Sequence, residues 1–183
     1  MEGAHASLGN VHVTPYFTTG QGEVETIEKV VAAALQGAKK LRMITMLTSD
    51  PGILKSIAAF EPKGRNIMGV LDPNEMKQVM HPARGSSKTD PKLFWFANGD
   101  ERFLAAPSHA YHAGDSNDFM HNKVMIIDDK TVITGSYNFS ESAESNDENL
   151  LVIESQDVAL AYSTYFDELF ARYKLHGAKL PPA

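Results

Sequence analysis

The sequence predicts an α/β layered sandwich in which helices flank a central mixed β-sheet, and three observations carry that prediction. Apolar runs of strand length, LRMITML at 41–47 and RNIMGVLD at 65–72, alternate with stretches of helical periodicity at 23–40 and after Pro51. Residues 124–134 read as two short buried strands joined by a turn. With 183 residues, 43% of them hydrophobic, the chain can bury one substantial core, so residues 1–183 are expected to form a single domain.

Taken in order, residues 1–10 read as a loose leader. Val11, Val13 and Tyr16 mark a first strand closed by Pro15 and the polar TTGQG. Val24, Ile27, Val31, Leu35 and Ala38 recur at helical spacing, with acids early and Lys39 and Lys40 late, as a helix dipole prefers. After the 41–47 strand, Thr48, Ser49 and Asp50 offer caps, and Pro51 opens a helix through Phe60. The 65–72 strand leads into a short helix from Pro73 to Met80. Breaker-rich HPARGSSKTDPK is a loop, LFWF a strand, and NGDERFLAA a short helix. Beyond residue 138, FSESAESNDE is a polar loop and Leu150 to Ile153 a buried strand. Asp157 caps a last helix whose stripe is Val158, Ala161, Tyr165, Leu169 and Tyr173, and GAKLPPA at 177–183 frays.

Composition narrows the function. Cysteine is absent, which removes disulfides and thiolate metal sites. The start, MEGAHASLGN, has no signal-like charge or apolar core, and no stretch reaches the roughly 18 apolar residues of a membrane span. A soluble chain without a transmembrane segment, cytoplasmic by default, is therefore expected. The net charge of −6 argues against a broad grip on nucleic acid, while leaving room for a local basic groove from Lys39, Lys40 and Arg42, from Lys63 and Arg65, or from Arg84, Lys88 and Lys92.

The chemistry concentrates in HNKVMIIDDKTVITGSYN at 121–138. His121, Lys123 and Asp128 form HxKxxxxD, followed by Gly135, Ser136 and Asn138 as GSxN. At a background of roughly 5% per position, this spaced pattern arises at a given start about once in 10⁸. Strand alternation puts His121 and Lys123 on one face, opposite Val124, Ile126 and Asp128, with the turn at Asp129-Lys130. Ser136 and Asn138, again two apart, sit past the returning strand, where Gly135 permits a tight turn. Imidazole, ammonium, hydroxyl and carboxamide groups converging on one point suit a phosphodiester, with no metal or other cofactor required.

This pattern resembles the signature of the phospholipase D, or HKD, superfamily, and the order of elements is similar to the phospholipase D-like fold. The resemblance implies two-step transfer through a phosphohistidine in a site built from two motifs. It makes His121 nucleophile or leaving-group acid, and Lys123 and Asn138 the phosphate grip with Ser136 in support. Glu148 corresponds to an acid that bonds the catalytic imidazole. Asp128, facing away, is given a supporting structural role. Substrate-binding residues are thus His121, Lys123, Ser136 and Asn138, and no metal ligand is assigned.

Only one HxKxxxxD is present, and attack and protonation need separate partners. The economical answer is a homodimer with the site at the two-fold axis. The leading expectation is a metal-independent nuclease. Its rivals are a phospholipase D or phosphatidyl transferase, and an inactive half-domain needing the second motif of a larger two-motif bacterial protein. Residues 81–119, longer than in compact single-motif members, hold the substrate choice between nucleic acid and phospholipid. Within them, His109 and His112 lack partners at metal-ligand spacing, and Phe94, Trp95 and Phe96 read as core and cover before a base-stacking platform.

Overall fold

The computed structural model describes residues 6–18, 26–59, 66–80, 101–108 and 119–176. Eight strands are found there: β1 (Ala6–Leu8), β2 (Val11–Phe17), β3 (Lys40–Thr45), β4 (Asn66–Leu71), β5 (Phe103–Ala105), β6 (Lys123–Ile127), β7 (Thr131–Gly135) and β8 (Asn149–Glu154). They make one sheet in the order β1-β2-β8-β7-β6-β3-β4-β5. β3, β4 and β5 run parallel, and the remaining neighbours pair antiparallel. Helices α1 (Thr26–Leu35), α2 (Pro51–Ala58), α3 (Pro73–Met80) and α4 (Gln156–His176) complete the layers, so the expected mixed α/β sandwich is the observed one.

Alternation along the central strands builds two cores. Met43, Met125, Ile127 and Ile133 pack with Ile27, Val31, Ile53 and Ile57 of α1 and α2. Ile44, Val124, Ile126 and Val132 face the other way, onto Ala159, Phe166 and Leu169 of α4. Each large aliphatic side chain buried this way contributes about 1.5–3 kcal/mol before conformational entropy is charged. β6 is therefore buried along its whole length, as its unbroken apolar run requires.

Several elements differ from the sequence reading for local physical reasons. Residues 6–8, inside the expected leader, pair with Val11–Val13 as β1. β2 continues through Pro15 to Phe17, because β1 ends its pairing at Val13 and leaves β2 an edge strand there, where a missing N–H is tolerated. α1 stops at Leu35, since Gly37 adopts φ 83, and Lys40 already belongs to β3. Phe103–Ala105 is a strand parallel to β4 rather than a helix. It packs there because Gly69 leaves room for the Phe103 ring; a Cβ on Gly69 would lie 2.8 Å from Phe103 Cδ1. Ser155, not Asp157, caps α4, its Oγ accepting from Val158 N at 3.3 Å. Ala161 and Tyr165 of the expected stripe face outward, and the buried positions are Ala159, Ser163, Phe166 and Leu169. The expected cap at Asp50 is present, with Oδ1 accepting from Gly52 N and Ile53 N at 2.9 Å each. LFWF, His109, His112, Lys63, Arg65, Arg84, Lys88 and Lys92 lie outside the described residues. No helix among the described residues is long and apolar enough to cross a membrane.

The β6–β7 turn falls at Asp128 and Asp129, one residue earlier than expected. Both have φ 52, as a primed hairpin turn demands, and Lys130 N donates to Ile127 O at 3.0 Å. Asp128 Oδ1 accepts from Lys39 N and Lys40 N, 2.8 Å each, tying this turn to the entry of β3. Replacing Asp128 with Ala should lower unfolding stability by about 1–3 kcal/mol, through two unsatisfied amides, while Asp128→Asn keeps most of it. Urea titration of the two variants checks this.

Candidate active site

The sheet topology collects the motif residues at one end. Lys123 opens β6 opposite Thr45, the last residue of β3, and Asp72 follows the end of β4. Gly135 closes β7 opposite Leu150, and Phe17 closes β2 opposite Asn149. The carboxyl ends of the parallel strands lie at this edge, the usual place for ligands in open α/β sheets.

Lys123 is buried, with 6% of its surface exposed, and its Nζ donates to His121 O at 3.1 Å. Burial lowers its pKa, and the negative charge of Glu148 works in the opposite direction. The His121 side chain is exposed, its ring meeting Phe119 edge-on at 5.3 Å between centroids. Partial burial and the neighbouring Lys123 ammonium pull the imidazole below its ordinary value. The shift favours the neutral form of the ring, the form able to act as a nucleophile or base.

The GSxN segment is shaped by Gly135. A Cβ there would sit 2.2 Å from Asn149 O, so only glycine lets β7 pass β8 at this point. Asn149 O then accepts from Ser136 N and Tyr137 N, and Ser136 Oγ accepts from Asn149 N at 3.0 Å. Ser136 thus fixes the residue after Glu148 and is itself exposed. Tyr137 and Phe139 point into the core, with the Tyr137 hydroxyl donating to Glu144 Oε1 at 2.6 Å. Asn138 lies between them with Oδ1 buried and without a hydrogen-bond partner among the described residues. Such an orphaned acceptor is uncommon in a folded interior, and it is the Nδ2 of the same amide that could donate to an anionic oxygen. Glu148 is held by its backbone: its N–H donates to Thr18 Oγ1 at 2.7 Å, and its carbonyl accepts from Thr18 N at 3.0 Å.

His121, Lys123, Ser136, Asn138 and Glu148 therefore share the strand-end region. Asp128 does not: five residues of strand, roughly 17 Å, separate it from Lys123. Lys40 and Arg42 also sit toward that far end, where they pair with Asp129 at 2.7 and 3.0 Å rather than forming an open basic groove. Among the described residues, no cluster of three or more His, Asp or Glu side chains could hold a metal ion. Sequence reasoning missed Asp72, which is buried beneath this region; the Asp-Pro step after a buried strand signals a helix cap and nothing more.

Fold and site together define a layered α/β domain with an imidazole beside a buried ammonium at its strand ends. A family model described as cardiolipin synthase, PLD-like domain, matches residues 27–170, and the chain belongs to this phospholipase D-like family. Phospholipase D of Rickettsia conorii is 56% identical over 43 residues, covering 23% of this chain and 22% of the relative. Mitochondrial cardiolipin hydrolase of Xenopus tropicalis is 21% identical over 146 residues, 79% of this chain and 61% of that one. The chain thus spans less than two thirds of these curated relatives. The phospholipase D family member Nuc of Salmonella typhimurium shares the fold, with a TM-score of 0.60, 22% identity, and coverage of 93% of this chain and 99% of that chain.

The lowered imidazole pKa carries a sign that can be read. The neutral ring persists as pH falls below about 6.5, so His121 should titrate below that value. Replacing Lys123 with Met should move its titration upward, because the repelling cation is gone. NMR titration of the His121 Cε1–H resonance, assigned with His121→Gln, checks both directions.

Proposed function

We propose that this chain is a metal-independent phosphodiesterase that works through a covalent phosphohistidine on His121, as a homodimer with its site at the two-fold axis. The observation that carries the reading is the pairing of an exposed imidazole with a buried ammonium that is bonded to the same residue's carbonyl. A ring nitrogen of His121 attacks phosphorus, forming the N–P bond as the bond to the leaving oxygen breaks. The partner subunit's His121, protonated, gives its proton to that oxygen. Water then attacks the phosphohistidine, deprotonated by the same second ring, which returns both histidines to their starting states. Lys123 and Asn138 hold the non-bridging oxygens, Ser136 supports the turn that presents Asn138, and Glu148 steadies the cationic side of the site. Asp128 acts only through the β6–β7 turn.

Nucleic acid is the leading substrate class, on the small single-motif architecture of the chain. A phospholipid is the second reading, favoured by the names of the relatives, phospholipase D and cardiolipin hydrolase, and by the net charge of −6, which weakens any broad grip on a polyanion.

Purified protein incubated with DNA, RNA and phospholipid vesicles, each with and without EDTA, is expected to turn over one class regardless of chelator. His121→Ala should reduce that turnover at least ~10³-fold, as removal of a nucleophile does. Chelator-sensitive turnover, or activity that survives the substitution, defeats the mechanism. The dimer has its own test, because a shared site needs both histidines. Equal mixing and subunit exchange with His121→Ala protein should cut the activity of the wild-type component to about one half, since half of its subunits enter dead hybrids. Unchanged activity after exchange means each protomer works alone.

A further inference from the structure

We infer that Asp72 is a positioning residue for His121, a role that rests on the catalytic reading of that histidine. Asp72 follows β4 and is fully buried. Its Oδ1 caps α3 by accepting from Asn74 N at 2.9 Å and Glu75 N at 3.1 Å, and also accepts from Ser108 Oγ at 3.1 Å. A helix cap uses one carboxylate oxygen. The other, Oδ2, accepts from Met120 N at 3.1 Å, 48 residues along the chain and immediately before His121.

The backbone around the imidazole is pinned at three consecutive residues. Met120 N donates to Asp72, His121 O accepts from Lys123 Nζ, and Asn122 O accepts from Met46 N at 2.8 Å. The second and third bonds hold the side of His121 that leads into β6. Asp72 alone among these holds the side that enters the site, and His121 itself lies outside any strand, with an exposed ring. Without the Asp72 bond the Phe119–Met120 peptide can rotate and carry the following residue, and its ring, off line. A displacement of 1 Å in a reacting group costs about 10²-fold in rate. Asp72 is anchored in turn, its N–H donating to Thr45 O at 3.2 Å, so the clamp is fixed to the strand that pairs with Lys123. The carboxylate touches neither ring nor phosphate site; it acts through the backbone.

Asp72→Asn separates this role from capping. Asparagine still offers an oxygen to the α3 amides and Ser108, but turns an NH₂ toward Met120 N–H, two donors face to face. The kinetic constants on bis(p-nitrophenyl) phosphate and the His121 ring resonance without substrate should be measured, beside Ser108→Ala, which deletes the contact to Oδ1 and one from Asn74 Nδ2 but leaves Oδ2 and Met120 N in place. Asp72→Asn is expected to lower kcat about 10- to 100-fold with KM within about twofold, and to shift the ring resonance. Ser108→Ala should match wild type in both. Should Asp72→Asn not fold, replacing the Met120 amide by an ester, through its α-hydroxy analogue, removes the same donor and should give the same result. An unmoved ring resonance in the variant that folds, or an equal kcat loss in Ser108→Ala, overturns the proposal. The resonance needs no turnover, so absent activity in every protein defeats the catalytic reading and leaves the positioning claim to be decided by the ring alone.

Discussion

A cation kept out of water at the start of the central hairpin is the constraint from which the rest follows. Burying an ammonium costs several kcal/mol unless its protons and its charge are answered. Lys123 answers part of that with the carbonyl of His121 and part with the field of Glu148. The first contact holds the carbonyl of the histidine on the side that leads into β6. The second ties β6 electrostatically to the entry of β8, two strands away. What remains is positive potential beside an imidazole whose own protonation it disfavours.

The sheet explains why these groups can meet. A parallel run of β3, β4 and β5 delivers strand ends to one edge, and the antiparallel hairpin of β6 and β7 is inserted beside β3 with its open end at that edge. β8 then returns antiparallel to β7, so Asn149 and Glu148 arrive where Gly135 and Ser136 leave. Gly135 makes the crossing possible by bringing two backbones closer than any Cβ allows. Polar residues from three segments, at the start of β6, after β7 and before β8, reach this end within a few residues of regular structure.

The two ends of β6 have opposite electrostatic character. At the turn end, Lys40 and Arg42 are closed off by Asp129, Arg42 also reaches Asp167 at 3.5 Å, and its guanidinium lies 5.6 Å from the centre of the Phe166 ring. Asp128 spends its oxygen on backbone amides. At the other end, Asn138 Oδ1 has no partner and the His121 ring stands exposed. Arg42 Nε at the turn end is also buried without a hydrogen-bond partner among the described residues, so the contrast between the ends lies in the paired charges of one and the exposed imidazole of the other.

The sequence by itself determined the layered class and the sharing of one region by His121, Lys123, Ser136 and Asn138, because strand alternation and a hairpin are local rules that act over a few residues. It also placed the Asp50 cap, whose geometry spans three residues. It misread Phe103–Ala105, since the room for that strand comes from Gly69, 34 positions away and silent in any local window. It misplaced the α4 stripe by following apolar residues where the packed face includes Ser163. The distance of Asp128 from the imidazole, the closed pairing of Lys40 and Arg42, and the reach of Asp72 to Met120 were decided only by tertiary structure, because each joins segments whose separation along the chain carries no signal of their meeting.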